Sequence, residues 1–164
     1  MASTISDATL TVTITEKVVL NGRDQGATNV LSINNINEIS KRIVTVTTTE
    51  TGLLGFATTS ATDLSKSYLA GLFDEDDVRY IRITNLDDSN HAGLIFRNED
   101  GDEFGVKLDF GQSFIYSPDR EGGVVDTMDA AATAITANTF ADLVDITATA
   151  DTASVDLEIF VAST

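Results

Sequence analysis

The chain reads as all-β, an antiparallel sandwich or barrel, on three observations. Apolar residues recur with a period of two over most of the 164 residues, the signature of half-buried strands. Threonine occurs 23 times while proline occurs once, and a β-branched side chain suits a pleated surface better than a helix. Turn signals recur about every eight to twelve residues, the spacing of short strands in sandwiches and barrels.

The elements follow in order. Leu10, Val12 and Ile14 alternate with Thr9, Thr11, Thr13 and Thr15, giving a strand with one hydroxyl face. Val18-Val19-Leu20 leads into Asn21-Gly22, a dipeptide that tolerates the positive φ values of a tight hairpin turn. Val30, Ser32 and the Asn34-Asn35 pair predict a further strand and turn, and the β-branched run from Ile43 to Thr48 an inner strand. Gly52-Leu53-Leu54-Gly55-Phe56 reads as a strand with glycines at its ends and turns. From Ala61 to Asp77 the spacing of Leu64, Tyr68, Leu69 and Leu72 predicts one short helical turn or an ordered loop, stopped by Gly71 and Asp74-Glu75-Asp76-Asp77.

Alternation returns from Val78 to Thr84, a turn falls at Asp87–Asn90, and Leu94-Ile95-Phe96 and Phe104–Phe110 flank an Asp100-Gly101 hairpin turn. Ser113–Ser117 follows, then a long turn at Pro118–Gly123, and Met128, Ala131, Ala132 and Ile135 suggest a short helix. Val144, Ile146 and Ala148, a turn at Asp151-Thr152, and Val155, Leu157, Ile159 and Val161 close the list. Residues 1–164 form a single domain in this reading, with residues 1–8 as an extended N-terminal arm.

Charge narrows function. Ten Lys and Arg stand against 26 Asp and Glu, a net charge of −16. So acidic a surface disfavours phosphate backbones and anionic membranes as partners. With 42% hydrophobic residues the chain still belongs among globular proteins, and a domain of this length buries roughly 70% of its unfolded surface. The absence of cysteine removes disulfides, thiolate zinc sites and cysteine nucleophiles. Met1–Asp7 has neither a charged nor an apolar leader region, so no signal peptide is expected and synthesis begins in a cytoplasm. No apolar stretch is long enough for a membrane helix.

Candidate chemistry is sparse. Asn98–Glu103 resembles a calcium loop, but aligning Gly101 with the sixth position puts Phe96 first and Lys107 twelfth, where carboxylates are required. A solvated hairpin tip fits better, as solvated turns do for Asp74–Asp77 and Asp87-Asp88. His91, the lone histidine, sits in a polar turn and is expected to be exposed rather than part of a triad. Phosphate-binding glycine motifs are absent, and Gly122–Thr164 carries seven acids and no base, a face suited to solvent or to a basic partner. No catalytic, cofactor or metal residues are assigned.

Val78–Asn85, Glu103–Leu108, Gly111–Phe114, Ala141–Ala148 and Val155–Ala162 resemble small β-rich virion structural proteins of marine tailed bacteriophages, cyanophages in particular. The likeness covers most of the chain from Val78 onward and the Thr-alternating start, and carries no catalytic signature. It implies a jelly-roll-like sandwich acting as a capsid decoration (cement) protein. The implied partners are the major capsid protein or other virion proteins, in a homo-oligomer, a trimer foremost, located in the virion. A neck, tail or fibre protein is the alternative. A carbohydrate-binding module, suggested by exposed acids with Tyr68, Tyr80 and Tyr116, is a further one, and a calcium-binding sandwich the last. In the leading reading the protein is no enzyme and needs no cofactor.

Overall fold

The computed structural model describes residues 6–57, 67–74, 76–98, 103–117 and 143–164. They form thirteen strands and no helix. Four strands make one antiparallel sheet: β5 (Glu38–Val46), β8 (Val78–Asn85), β11 (Ser113–Tyr116) and β13 (Val155–Ser163), in the order β11-β8-β13-β5. Five make a second: β6 (Thr51–Ala57), β7 (Gly71–Asp74), β9 (Ala92–Asn98), β10 (Glu103–Leu108) and β12 (Leu143–Ala150). Their order is β10-β9-β12-β6-β7, antiparallel except for the parallel pair β6–β7. The two sheets pack together as a sandwich.

Alternation explains the core. Val155, Leu157, Ile159 and Val161 of β13 all point inward, where they meet Val44, Val46, Ile81 and Ile83 of their own sheet. Leu94, Phe96, Ile146 and Ala148 come from the opposite sheet to join them. At one end Phe96 stacks on Phe104, its register partner, with ring centroids 4.5 Å apart. Phe114 of the other sheet closes on Phe96 at 5.2 Å.

Three register shifts interrupt the described part of the two sheets, and two of them turn a side chain inward. Between β8 and β13 the register skips Arg79, so that Val78 returns to the core although Tyr80 faces outward. Between β6 and β12 a second shift puts the adjacent Leu53 and Leu54 both inside. Gly52 and Gly55 therefore lie within β6, not at strand ends as the sequence suggested.

The third feature is a hairpin arm laid on the outer face of the four-stranded sheet. β1 (Ala8–Thr15) pairs with β4 (Thr28–Ile36), and β2 (Val19–Leu20) with β3 (Arg23–Asp24) nearer the tip. Asn21 and Gly22 have φ of 51° and 75°, the type I′ turn their identities predict. Near its base Ile33 and Ile36, with Leu10, Val12 and Leu31, cover Tyr80, Phe160 and Ala162. Ile33 and Ile36 reach the same side because the strand bulges at Asn35, whose φ is 62°. The turn expected at Asn34-Asn35 is thus an irregularity inside a strand. Of the arm expected over residues 1–8, residues 1–5 lie outside the described residues, and Ala8 opens β1.

Two further expectations change. Of the Ile43–Thr48 segment, Ile43–Val46 belongs to β5, which is an edge strand with Ile43 62% exposed, not an inner strand, and Thr47 and Thr48 lie beyond its end. Of the helical turn or ordered loop expected over Ala61–Asp77, residues 61–66 and 75 lie outside the described residues; Tyr68–Ala70 form a turn, and at Gly71 (φ 121°) the chain enters the parallel strand β7, which takes Leu72 out of any helical spacing. The helix suggested at Met128–Ile135, the Pro118–Gly123 turn and the Asp100-Gly101 turn fall outside the described residues.

Candidate functional site

Polar side chains converge most densely on the outer face of the five-stranded sheet. Register places Glu103, Arg97, Asp145 and Gly55 in one row across β10, β9, β12 and β6. Arg97 spends its fork on three carboxylates: Nε donates to Glu103 at 2.7 Å, Nη1 to Asp145 at 2.9 Å and Nη2 to Glu50 at 3.0 Å. The hydrogen bond to Glu50 foremost, then that to Glu103 and the charge of Asp145, hold the guanidinium above its ordinary pKa. Asp145 is fully buried, which demands such partners; its other oxygen accepts the Tyr68 hydroxyl at 3.1 Å. The Tyr68 ring lies over Gly52 and Gly55, where a Cβ on Gly55 would stand 2.6 Å from it.

Glu50, Gly52, Tyr68 and Arg97 line a cleft of about 370 Å³ with Ser67 and Thr147. Both oxygens of Asp145 and all three guanidinium nitrogens are committed within the fold. The arrangement is a cross-strand clamp that ties β10, β9 and β12 to the residue before β6 and to the turn before β7. Sequence reading missed it, since its members are scattered and only register unites them.

The opposite outer face carries a smaller ladder. Lys41 and Arg82 stand opposite Phe160 on either side, and both reach Glu158, at 2.8 and 2.6 Å. The Lys41 hydrogen bond foremost, then that of Arg82, lowers the Glu158 carboxyl pKa. Beside the ladder, a groove of about 320 Å³ runs between the arm and the sheet, lined by Leu10, Val12, Ile14, Tyr80, Ile115 and Phe160.

The residues singled out from sequence fall elsewhere. Glu103 joins the Arg97 clamp, while Glu99–Asp102 lie outside the described residues. Asp76 and Asp77 donate their backbone N–H groups back to Asp74, and Arg79 donates to the Asp76 carbonyl. The Asp87 carboxylate accepts the backbone N–H groups of Asn90 and Ser89, which lowers its pKa. Among the described residues no group of three or more acids and histidines is placed to hold a metal ion. His91 is only one-third exposed, with Nδ1 at 3.4 Å from Asp151, so it is less open than expected.

The three tyrosines do not share a surface. Tyr80 is buried under the arm, Tyr116 stacks beside Phe114, and Tyr68 serves Asp145. Compared with known proteins, the chain matches no family model, no curated sequence and no solved structure.

Proposed function

We propose that this protein is a virion structural protein that decorates and stabilises a phage capsid through protein–protein contacts. The observation that carries the reading is the division of its surface. The convergent polar groups are consumed in clamps within the body, whereas apolar side chains are offered to the outside on the arm and on β5. Such a surface suits docking rather than turnover.

Strand order supports the finer, jelly-roll reading. Without β7 and the arm, eight strands remain, in the orders β5-β13-β8-β11 and β6-β12-β9-β10. Successive pairs of the chain alternate between sheets as in two nested Greek keys, an arrangement common among viral capsid domains. Fold alone assigns no function, and the proposal therefore rests on contact chemistry. Cementing adds buried interface across capsomer joints, so binding favours the assembled shell by mass action.

The test is to add purified protein to expanded capsids that lack it. The expected result is saturable binding, in copy numbers that follow the capsid lattice, with a higher melting temperature of the shell. Absence of binding would overturn the proposal, and binding of only six or twelve copies would move it to a neck or tail ring.

A further inference from the structure

The apolar stripe of the arm outruns the body that covers it. Leu10 and Val12 are half-buried against the sheet and Ile14 is 45% exposed. The tip beyond presents Val18, Val19 and Leu20, at 50, 63 and 62%. Single exposed hydrophobes are ordinary, but a run of three at the end of a projecting hairpin marks a contact site. The turn itself needs only Asn21 and Gly22, and Ile14 and Val30, at 45 and 60%, are the arm's other exposed large hydrophobes.

A matching surface exists on the same chain. Val44 and Val46 of β5 face the core, so Ile39, Lys41 and Ile43 face out. Ile39 and Ile43 are 56 and 62% exposed on this edge strand. Charge decides the occupant. Within residues 8–46 Lys17, Arg23, Lys41 and Arg42 outnumber Glu16, Asp24 and Glu38, while the remainder of the chain carries 23 acids against six bases. A basic partner would be drawn to that acidic remainder. This stretch is close to neutral and draws neither sign, so two copies of the chain meet there without the repulsion that governs their other approaches.

We propose that the arm is a self-assembly device, with Val18, Val19 and Leu20 of one copy seated on Ile39 and Ile43 of a second copy. Donor and acceptor surfaces differ, so the contact is head-to-tail and closes into a ring where the rotation permits. The inference deepens the homo-oligomer that the resemblance to phage virion proteins implies, and rests on that expectation alone, without reference to the capsid.

Native mass spectrometry and sedimentation of the purified full chain test it. Wild type is expected to be oligomeric. Val19→Ser/Leu20→Ser and Ile39→Thr/Ile43→Thr should each loosen assembly by about a hundredfold, with unchanged melting of the body because these side chains are already exposed. Mixing the two variants restores one intact contact per pair, so one-to-one heterodimers form and growth stops there. Phe110→Ser, at another exposed hydrophobe, should leave assembly intact. A monomeric wild type would overturn both the inference and the homo-oligomer reading. Oligomers that survive both double variants, or variants that fail to pair on mixing, would overturn the arm-to-β5 contact alone.

Discussion

Asn85 shows how much one buried amide organises. It is fully buried at the end of β8, and its Nδ2 donates to the carbonyls of Asn90 and Leu108 at 2.9 and 3.1 Å. Its Oδ1 accepts the backbone N–H of Asp87 at 2.9 Å. The Asp87–Asn90 turn and the β10 end are thereby held to β8. Asn85→Ala is expected to lower stability by about 1–3 kcal/mol, the cost of stranding buried polar groups, read as a fall in melting temperature. Glu158 gives a pH counterpart. Its folded pKa lies below the ordinary value, so its contribution is present above the unfolded carboxylate range near pH ~4.3 and is lost as pH falls through the folded pKa. Melting curves of wild type and Glu158→Gln should differ at neutral pH and converge in acid. From sequence Asn85 is one more polar residue before a turn, because nothing local states that a carbonyl from β10 will arrive beside it.

At the scale of elements, what is local was legible. The Asn21-Gly22 turn, the alternating faces of β1 and β13, and the turn at Asp151 follow from neighbouring residues. What depends on a distant partner was not. The edge position of β5 follows from its pairing with β13 on one side only, and its β-branched residues suit an edge as well as a centre. Gly52 and Gly55 are three residues apart, yet the bulge puts both on one side under Tyr68. The strand glycines make this testable. In Gly55→Ala the added methyl would stand 2.6 Å from the ring and 2.5 Å from Leu72, displacing Tyr68 from Asp145 at an expected cost of about 1–3 kcal/mol. Gly105→Ala, with nothing nearer than the Leu94 carbonyl at 3.8 Å, should melt within a degree or two of wild type. The Arg97 clamp was invisible in sequence for the same reason as the bulge. Its members come from three strands, the residue before β6 and the turn before β7, and they meet only once the register is set.

For the whole molecule, the net charge of −16 is unevenly laid over a sandwich whose neutral part projects. Self-repulsion opposes compactness, and mobile ions screen it over a Debye length of about 10 Å at 0.1 M salt. Added sodium chloride is therefore expected to raise the melting temperature, by more than it weakens the exposed Lys107–Asp109 pair. A melting temperature that falls steadily with salt would show that ion pairs, not repulsion, dominate.

The place of β13 bears on when this protein becomes itself. β13 lies between β8 and β5 and is hydrogen-bonded to both, yet in sequence it follows β5 only after β6 to β12. A ribosome-bound chain that already exposes the arm and all of β5 still lacks the strand that seats β5 in its sheet. Closure of the sandwich must wait for synthesis of β13, so until then the nascent chain carries an arm but has no finished surface to receive one.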